Sequence, residues 1–161
     1  MKRLLFASLL LISVPAAGVV FATRTPPAAQ QGGGQTNAPD KAEQHRAAED
    51  AARKVTEAWL ALVDAGKFEE SYEQAADGLK SLVAKEPFVS SLEAARNPLG
   101  ELKTRKLVST RYTNKLGGAP EGEYVVVKFK SSFAHGDELT ETIVPMLDKD
   151  GKWRVSGYYI K

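Results

Sequence analysis

Cysteine is absent from the 161 residues. The chain therefore has no disulfide, no thiolate nucleophile, no cysteine-ligated metal and no residue for lipoprotein attachment. Histidine occurs only twice. His45 falls in the early turns of a helical pattern and His135 in the turn AHGDE, both solvated settings. His135, Asp137 and Glu138 are the one grouping with any metal-binding character, and they lack the spacing of a strong site. A Gly-x-Ser-x-Gly elbow is missing as well. No catalytic residue, metal or cofactor is assigned.

An excess of one charge is also lacking. Lys and Arg number 22 against 20 Asp and Glu, and two of the basic residues are Lys2 and Arg3 at the extreme N-terminus. Without that end the balance is even, so nothing advertises a nucleic-acid partner. Residues 40–96 hold 8 basic and 12 acidic groups, whereas residues 97–161 hold 11 and 8. Lys106, Lys128 and Lys130 fall on what should be the outer face of a sheet. They could steer an acidic partner or an anionic lipid surface, and a solvated sheet face explains them equally well.

What is present begins with an export signal. Lys2 and Arg3 precede the apolar run LLFASLLLISVPAAGVVF, broken once at Pro15, and VFA places small residues at Val20 and Ala22. Residues 1–22 are expected to be a cleaved signal peptide, which makes the mature protein periplasmic or secreted. The alternative is an uncleaved inner-membrane anchor, since about 18 apolar residues can just span a bilayer. Residues 23–40, TRTPPAAQQGGGQTNAPD, cannot bury apolar surface and read as a disordered linker. Residues 41–161 are then one domain of ordinary size.

Within that domain the hydrophobic period changes once. Residues 40–65 form the clearest helix, with Asp40 as N-cap, Glu43 completing a capping box and Gly66 as the stop. Its apolar stripe is Ala48, Ala51, Val55, Ala58, Trp59 and Leu62. FEESYEQA and GLKSLVAK are two shorter helical pieces separated by a bend at Asp77-Gly78, and EPFVSSLEAAR is a third. Asn97-Pro98-Leu99-Gly100 ends the helical half. From Glu101 the period is two. LKTRKLVSTRYTNK, EYVVVKFKSSF, LTETIVPML and WRVSGYYIK read as strands, joined by LGGAPEG, AHGDE and the hairpin signal DKDGK. Helices followed by strands predict an α+β fold with a four-stranded antiparallel meander. Helices would cover one face, as in the cystatin-like or NTF2-like cone where a curled sheet wraps a long helix.

The ordered set AWLALVDAGKFEESY, RNPLG, RKL, the Glu of LTETIVPM and WRVSGYYI resembles a bacterial family known as domain of unknown function 4019. The resemblance spans about residues 45–161. Its recurring features fall on Trp59, Leu60, Asp64, Gly66, Tyr72, Phe88, Arg96, Pro98, Leu99, Gly100, Arg105, Glu141, Trp153, Gly157 and Tyr158. Tyr72 and Phe88 stand where that family often has Trp, which reads as conservative packing. The resemblance implies an exported bacterial domain and no established catalytic residues.

Arg96, Arg105 and Glu141 are the most informative polar residues. Two arginines could grip a substrate carboxylate or phosphate bidentately. They could instead be the internal partners of Glu141, tying the helix–strand junction to the sheet, which is the reading we favour. Trp59, Trp153, Tyr158 and Tyr159, with Tyr72 and Phe88, could line a ligand cavity, although most fit a core. Tyr158 and Tyr159 must face opposite sides of their strand. The expected function is a non-catalytic module that binds a protein or a small ligand. The alternative is a small isomerase- or hydrolase-type enzyme with a cavity near Glu141.

Overall fold

The computed structural model describes residues 40–161 of the chain. The expected signal peptide and nearly all of the expected linker lie outside the described residues. Among the described residues, no helix is long and apolar enough to cross a membrane.

Four helices precede four strands: α1 (Lys41–Asp64), α2 (Phe68–Glu73), α3 (Asp77–Leu82), α4 (Lys85–Arg96), then β1 (Leu102–Thr113), β2 (Tyr124–Phe133), β3 (Gly136–Leu147) and β4 (Trp153–Ile160). The strands pair antiparallel in the order β1-β2-β3-β4. The fold is therefore α+β with a meander sheet, as the change of period implies.

Helix α1 starts where its cap dictates: the Asp40 carboxylate accepts the Glu43 N–H at 2.8 Å. Its buried stripe is Ala52, Thr56, Trp59, Leu60 and Val63. Trp59 was expected there, but Ala58 is exposed, and Ala48, Ala51, Val55 and Leu62 are only half-buried. The stripe is turned because Thr56 can be buried: its hydroxyl donates to the Ala52 carbonyl at 2.9 Å, leaving its methyl to pack. This face lies against all four strands. It meets Val125, Val127, Phe129, Ile143 and Val155 in the core. Those five supply much of the buried apolar area, at roughly 25 cal/mol per Å².

Two junctions differ from expectation. Asp77-Gly78 does not separate α2 from α3; it opens α3, and the chain bends at Gln74–Ala76 instead. An aspartate in a first turn favours the helix electrostatically. Gly78 packs close to Met146, since a Cβ there would sit 3.2 Å from its sulfur. AHGDE is not a five-residue turn: Ala134-His135 alone turn the chain, and β3 begins at Gly136. Asn97-Pro98-Leu99-Gly100 does end the helical half: α4 stops at Arg96, Asn97–Leu99 form a 3-10 turn, and the break falls at Gly100.

Gly100 holds the junction in φ 72° and ψ −155°, a region open essentially to glycine. Ala134 and His135 of the β2–β3 hairpin dock on it, their N–H groups donating to Glu101 and Leu99 at 2.8 and 2.9 Å. A Cβ at Gly100 would lie 3.1 Å from both side chains. Gly100→Ala should therefore lower the unfolding free energy by about 1–3 kcal/mol in urea titrations. Gly66→Ala should cost less, because an added Cβ there meets nothing within 4 Å.

Candidate functional site

Six elements each contribute one polar side chain to a single cluster that is buried at its centre and reaches the surface at Asp64. Asp64 and Arg96 are the last residues of α1 and α4. Arg105, Ser131, Glu141 and Tyr158 come from β1, β2, β3 and β4, on the helix-covered face. The pairing places Arg105 opposite Ser131, and Glu141 two residues beyond Ser131's own partner, Leu139.

Glu141 is the deepest member, with none of its surface exposed. Its Oε1 accepts from Arg96 Nη1 at 3.0 Å, Arg105 Nη2 at 3.1 Å and the Tyr158 hydroxyl at 2.8 Å. Its Oε2 accepts from Arg105 Nε at 2.7 Å and from the Ser131 hydroxyl. Five donors thus converge on two oxygens. Asp64 closes the other side: Oδ1 accepts from Arg96 Nη2 at 2.6 Å and Arg105 Nη2 at 3.0 Å, and Oδ2 from Arg105 Nη1 at 2.6 Å. Beneath Arg96 lies the Phe133 ring, 4.5 Å from the guanidinium carbon, a favourable cation–π position.

Two arginines and two carboxylates make the cluster electrically neutral, and exposure grades outward from Glu141 to an Asp64 side chain 21% exposed. Burial by itself would lower the Arg105 pKa, but hydrogen bonds to Asp64 and Glu141 outweigh it and raise the pKa above the ordinary guanidinium value. Burial, and then the negative charge of Glu141, raise the Tyr158 phenol well above its ordinary pKa. Both groups keep their protons throughout the physiological range.

The arginines and Glu141 named from the sequence thus meet, but with partners the sequence reading did not assign to the cluster. Asp64 carried a signal: a carboxylate closing a helix faces the negative end of the macrodipole and needs compensation. Ser131 carried one too, as the polar residue in the inward set Val125, Val127, Phe129 and Phe133.

The aromatics do not share one cavity. Trp59 is buried, its indole N–H donating to the Ser71 carbonyl at 2.8 Å, and its ring lies 5.6 Å from Tyr158. Trp153 packs half-buried against the core. Tyr72 and Phe88 pair at 5.3 Å between α2 and α4. Tyr159 is 65% exposed. Of the histidines, His45 stacks on Tyr112 at 4.1 Å and His135 is exposed in its turn. Among the described residues, no three His, Asp or Glu side chains are grouped to hold a metal. Lys106, Lys128 and Lys130 are all exposed, with Lys106 directly opposite Lys130.

An open groove of about 370 Å³ runs between β4 and the helices α3 and α4. Leu79, Leu82, Val83, Phe88 and Leu92 form one wall, and Tyr158, Tyr159 and Ile160 the other. No Asp, Glu, Lys, Arg or His lines it. Tyr158 belongs to both features: its hydroxyl serves Glu141 and its side chain borders the groove.

Glu141→Ala and Arg96→Ala should each lower the unfolding free energy by up to about 3–5 kcal/mol, because each unbalances the charges of the cluster and leaves buried hydrogen-bonding groups without a partner. The double variant should lose less than the sum of the two. Unchanged midpoints in the single variants would show that the cluster is not needed for stability. The raised Tyr158 pKa also has a sign: its contribution is fully present below the unfolded phenol value near 10 and is lost as pH rises above it. Urea titrations should show stability falling above about pH 10, and falling less steeply in Tyr158→Phe.

No curated protein and no solved structure matches the chain. The sequence profile of the family described as Protein of unknown function (DUF4019) matches residues 55–158. That span takes in all six members of the buried cluster. The chain belongs to that family.

Proposed function

We propose that the domain is a non-catalytic binding module of the cell envelope, taking a protein segment or small apolar ligand in the groove beside β4. One observation carries the reading: Glu141 is saturated by five donors and does not line the groove, whereas the groove is open, apolar and uncharged. A general base needs a lone pair and access to substrate, and Glu141 offers neither. An isomerase- or hydrolase-type site around it is accordingly disfavoured. The arginines complete the fold and do not hold a ligand anion, because each is already committed to Asp64 and Glu141.

The long helix α1 lying across all four strands supports the cystatin-like or NTF2-like cone as the architecture. The Lys-Arg start, the apolar run and the Val-Phe-Ala ending support export with cleavage after Ala22. No nucleic-acid partner is proposed, since the charges outside residues 1–22 balance.

Native mass spectrometry of the protein recovered from its host's envelope tests both parts. The expected chain begins at Thr23 and carries a bound mass that Leu82→Glu removes. Leu82 is 83% exposed, so this substitution should change stability by no more than about 0.5 kcal/mol. A chain still beginning at Met1 would overturn the cleaved signal. A wild-type protein as bare as the variant would count against the groove.

A further inference from the structure

We propose that the groove's occupant is an extended, uncharged peptide segment that adds to the free edge of β4 as a fifth strand. This deepens the binding reading above and rests on it. The sheet has two edges, β1 and β4, and they are unlike. β1 carries Lys103, Arg105, Lys106 and Arg111 along its length, and cations on an edge discourage a further strand. Its Tyr112 N–H is also taken, donating to Glu49 Oε1 at 2.8 Å. β4 has no charged residue from Val155 through Ile160.

Backbone geometry shows which groups are available. Thr140 and Lys161 exchange both backbone hydrogen bonds, at 2.7 and 3.1 Å. Bonded and non-bonded pairs alternate along an antiparallel ladder. By the β3–β4 register, Tyr159 and Gly157 then face Thr142 and Val144, while Tyr158 and Ile160 turn their N–H and C=O groups to the other side. That side is the groove. At its start the edge already receives a rung, since the Ala76 N–H donates to the Val155 carbonyl at 2.8 Å. No loop or helix backbone among the described residues pairs with Tyr158 or Ile160. The 74–76 segment thus supplies the first bond of an added strand, and the ladder stops there.

The walls select the occupant. Side chains on one face of an added strand would meet the apolar wall from α3 and α4, which includes Leu82 (83% exposed) and Val83 (39% exposed). A charged side chain inserted there would lose its hydration and find no partner. Tyr158 to Ile160 span about 7 Å at the usual strand rise of ~3.3 Å per residue, suited to a short segment of about three to five residues. A fatty chain could fill the groove but would leave the edge groups unmet. A second copy would have to present either its cation-bearing β1 or its own β4, which is itself walled by α3 and α4.

The test titrates the whole domain with the peptide acetyl-Thr-Val-Thr-Val-Thr-amide, with analogues N-methylated at the valines or at the threonines, and with decanoate. Isothermal titration gives affinity and amide hydrogen exchange gives position. The unmodified peptide should bind and slow exchange at Tyr158 and Ile160. One methylated analogue should bind at least about tenfold more weakly, and so should the unmodified peptide to Leu82→Glu. Equal affinity for all three peptides would overturn strand addition. Decanoate binding in the groove without peptide binding would overturn it too, while sparing the binding module. If neither probe moves the groove, both readings fall. A concentration-dependent dimer that protects the same two amides without peptide would assign the edge to a second copy and overturn the proposal.

Discussion

Everything in this domain is arranged around a carboxylate taken completely out of water. An isolated buried Glu141 would cost several kcal/mol of lost hydration. Two guanidinium groups, a phenol and a serine hydroxyl offset that cost only when held at hydrogen-bond distance. Their charges create a second requirement, met by Asp64, so the neutral unit is a quartet. Because its members and their neutral partners come from α1, α4 and all four strands, a shift of any of these six would break hydrogen bonds to a charge. The ends of α1 and α4 are especially constrained. Arg96 closes α4 where a cation suits the helix dipole, whereas Asp64 closes α1 against it. The arginines make the second placement tolerable.

Placing the end of α4 over the sheet has a consequence at the far edge. With α3 alongside, α4 stands off β4 and leaves an apolar channel. The channel is braced locally: the Tyr72 hydroxyl donates to the Val83 carbonyl at 2.9 Å, and the Ala76 N–H holds the start of β4. Tyr158 stands between the two regions. One side of the strand edge is polar, saturated and closed; the other is apolar, open and short of backbone partners. The contrast explains why function is sought at the groove and stability at the quartet.

Much of the fold was legible in the residues. The helix cap at Asp40, the change of period at Glu101 and the DKDGK hairpin are local signals, and each depends on bonds between near neighbours. The misread places have causes of their own. Thr56 looked polar but could be buried once its hydroxyl bonded within its own helix. Asp77-Gly78 looked like a break, yet the aspartate suits a first turn and the glycine answers to Met146, distant in sequence. AHGDE looked like a loop, but pairing with β2 draws Gly136 into the sheet. Thr56 is satisfied within its own helix and Gly136 pairs with nearby Phe133, so only Gly78 meets a residue far away in the chain.

The candidate site divides along the same line. Arg105 and Glu141 stand in strand sequences beside apolar neighbours, where a charge needs a partner, and the Asn-Pro-Leu-Gly ending put Arg96 at a junction. Composition excluded thiol chemistry outright. What the sequence could not determine was the full membership of the cluster, because Asp64, Ser131 and Tyr158 are brought to the arginines and Glu141 only by strand register and helix packing. The groove is further still from the primary structure. It is the gap between α3, α4 and an edge strand, and a gap has no residues of its own; its existence depends on where packed elements stop touching.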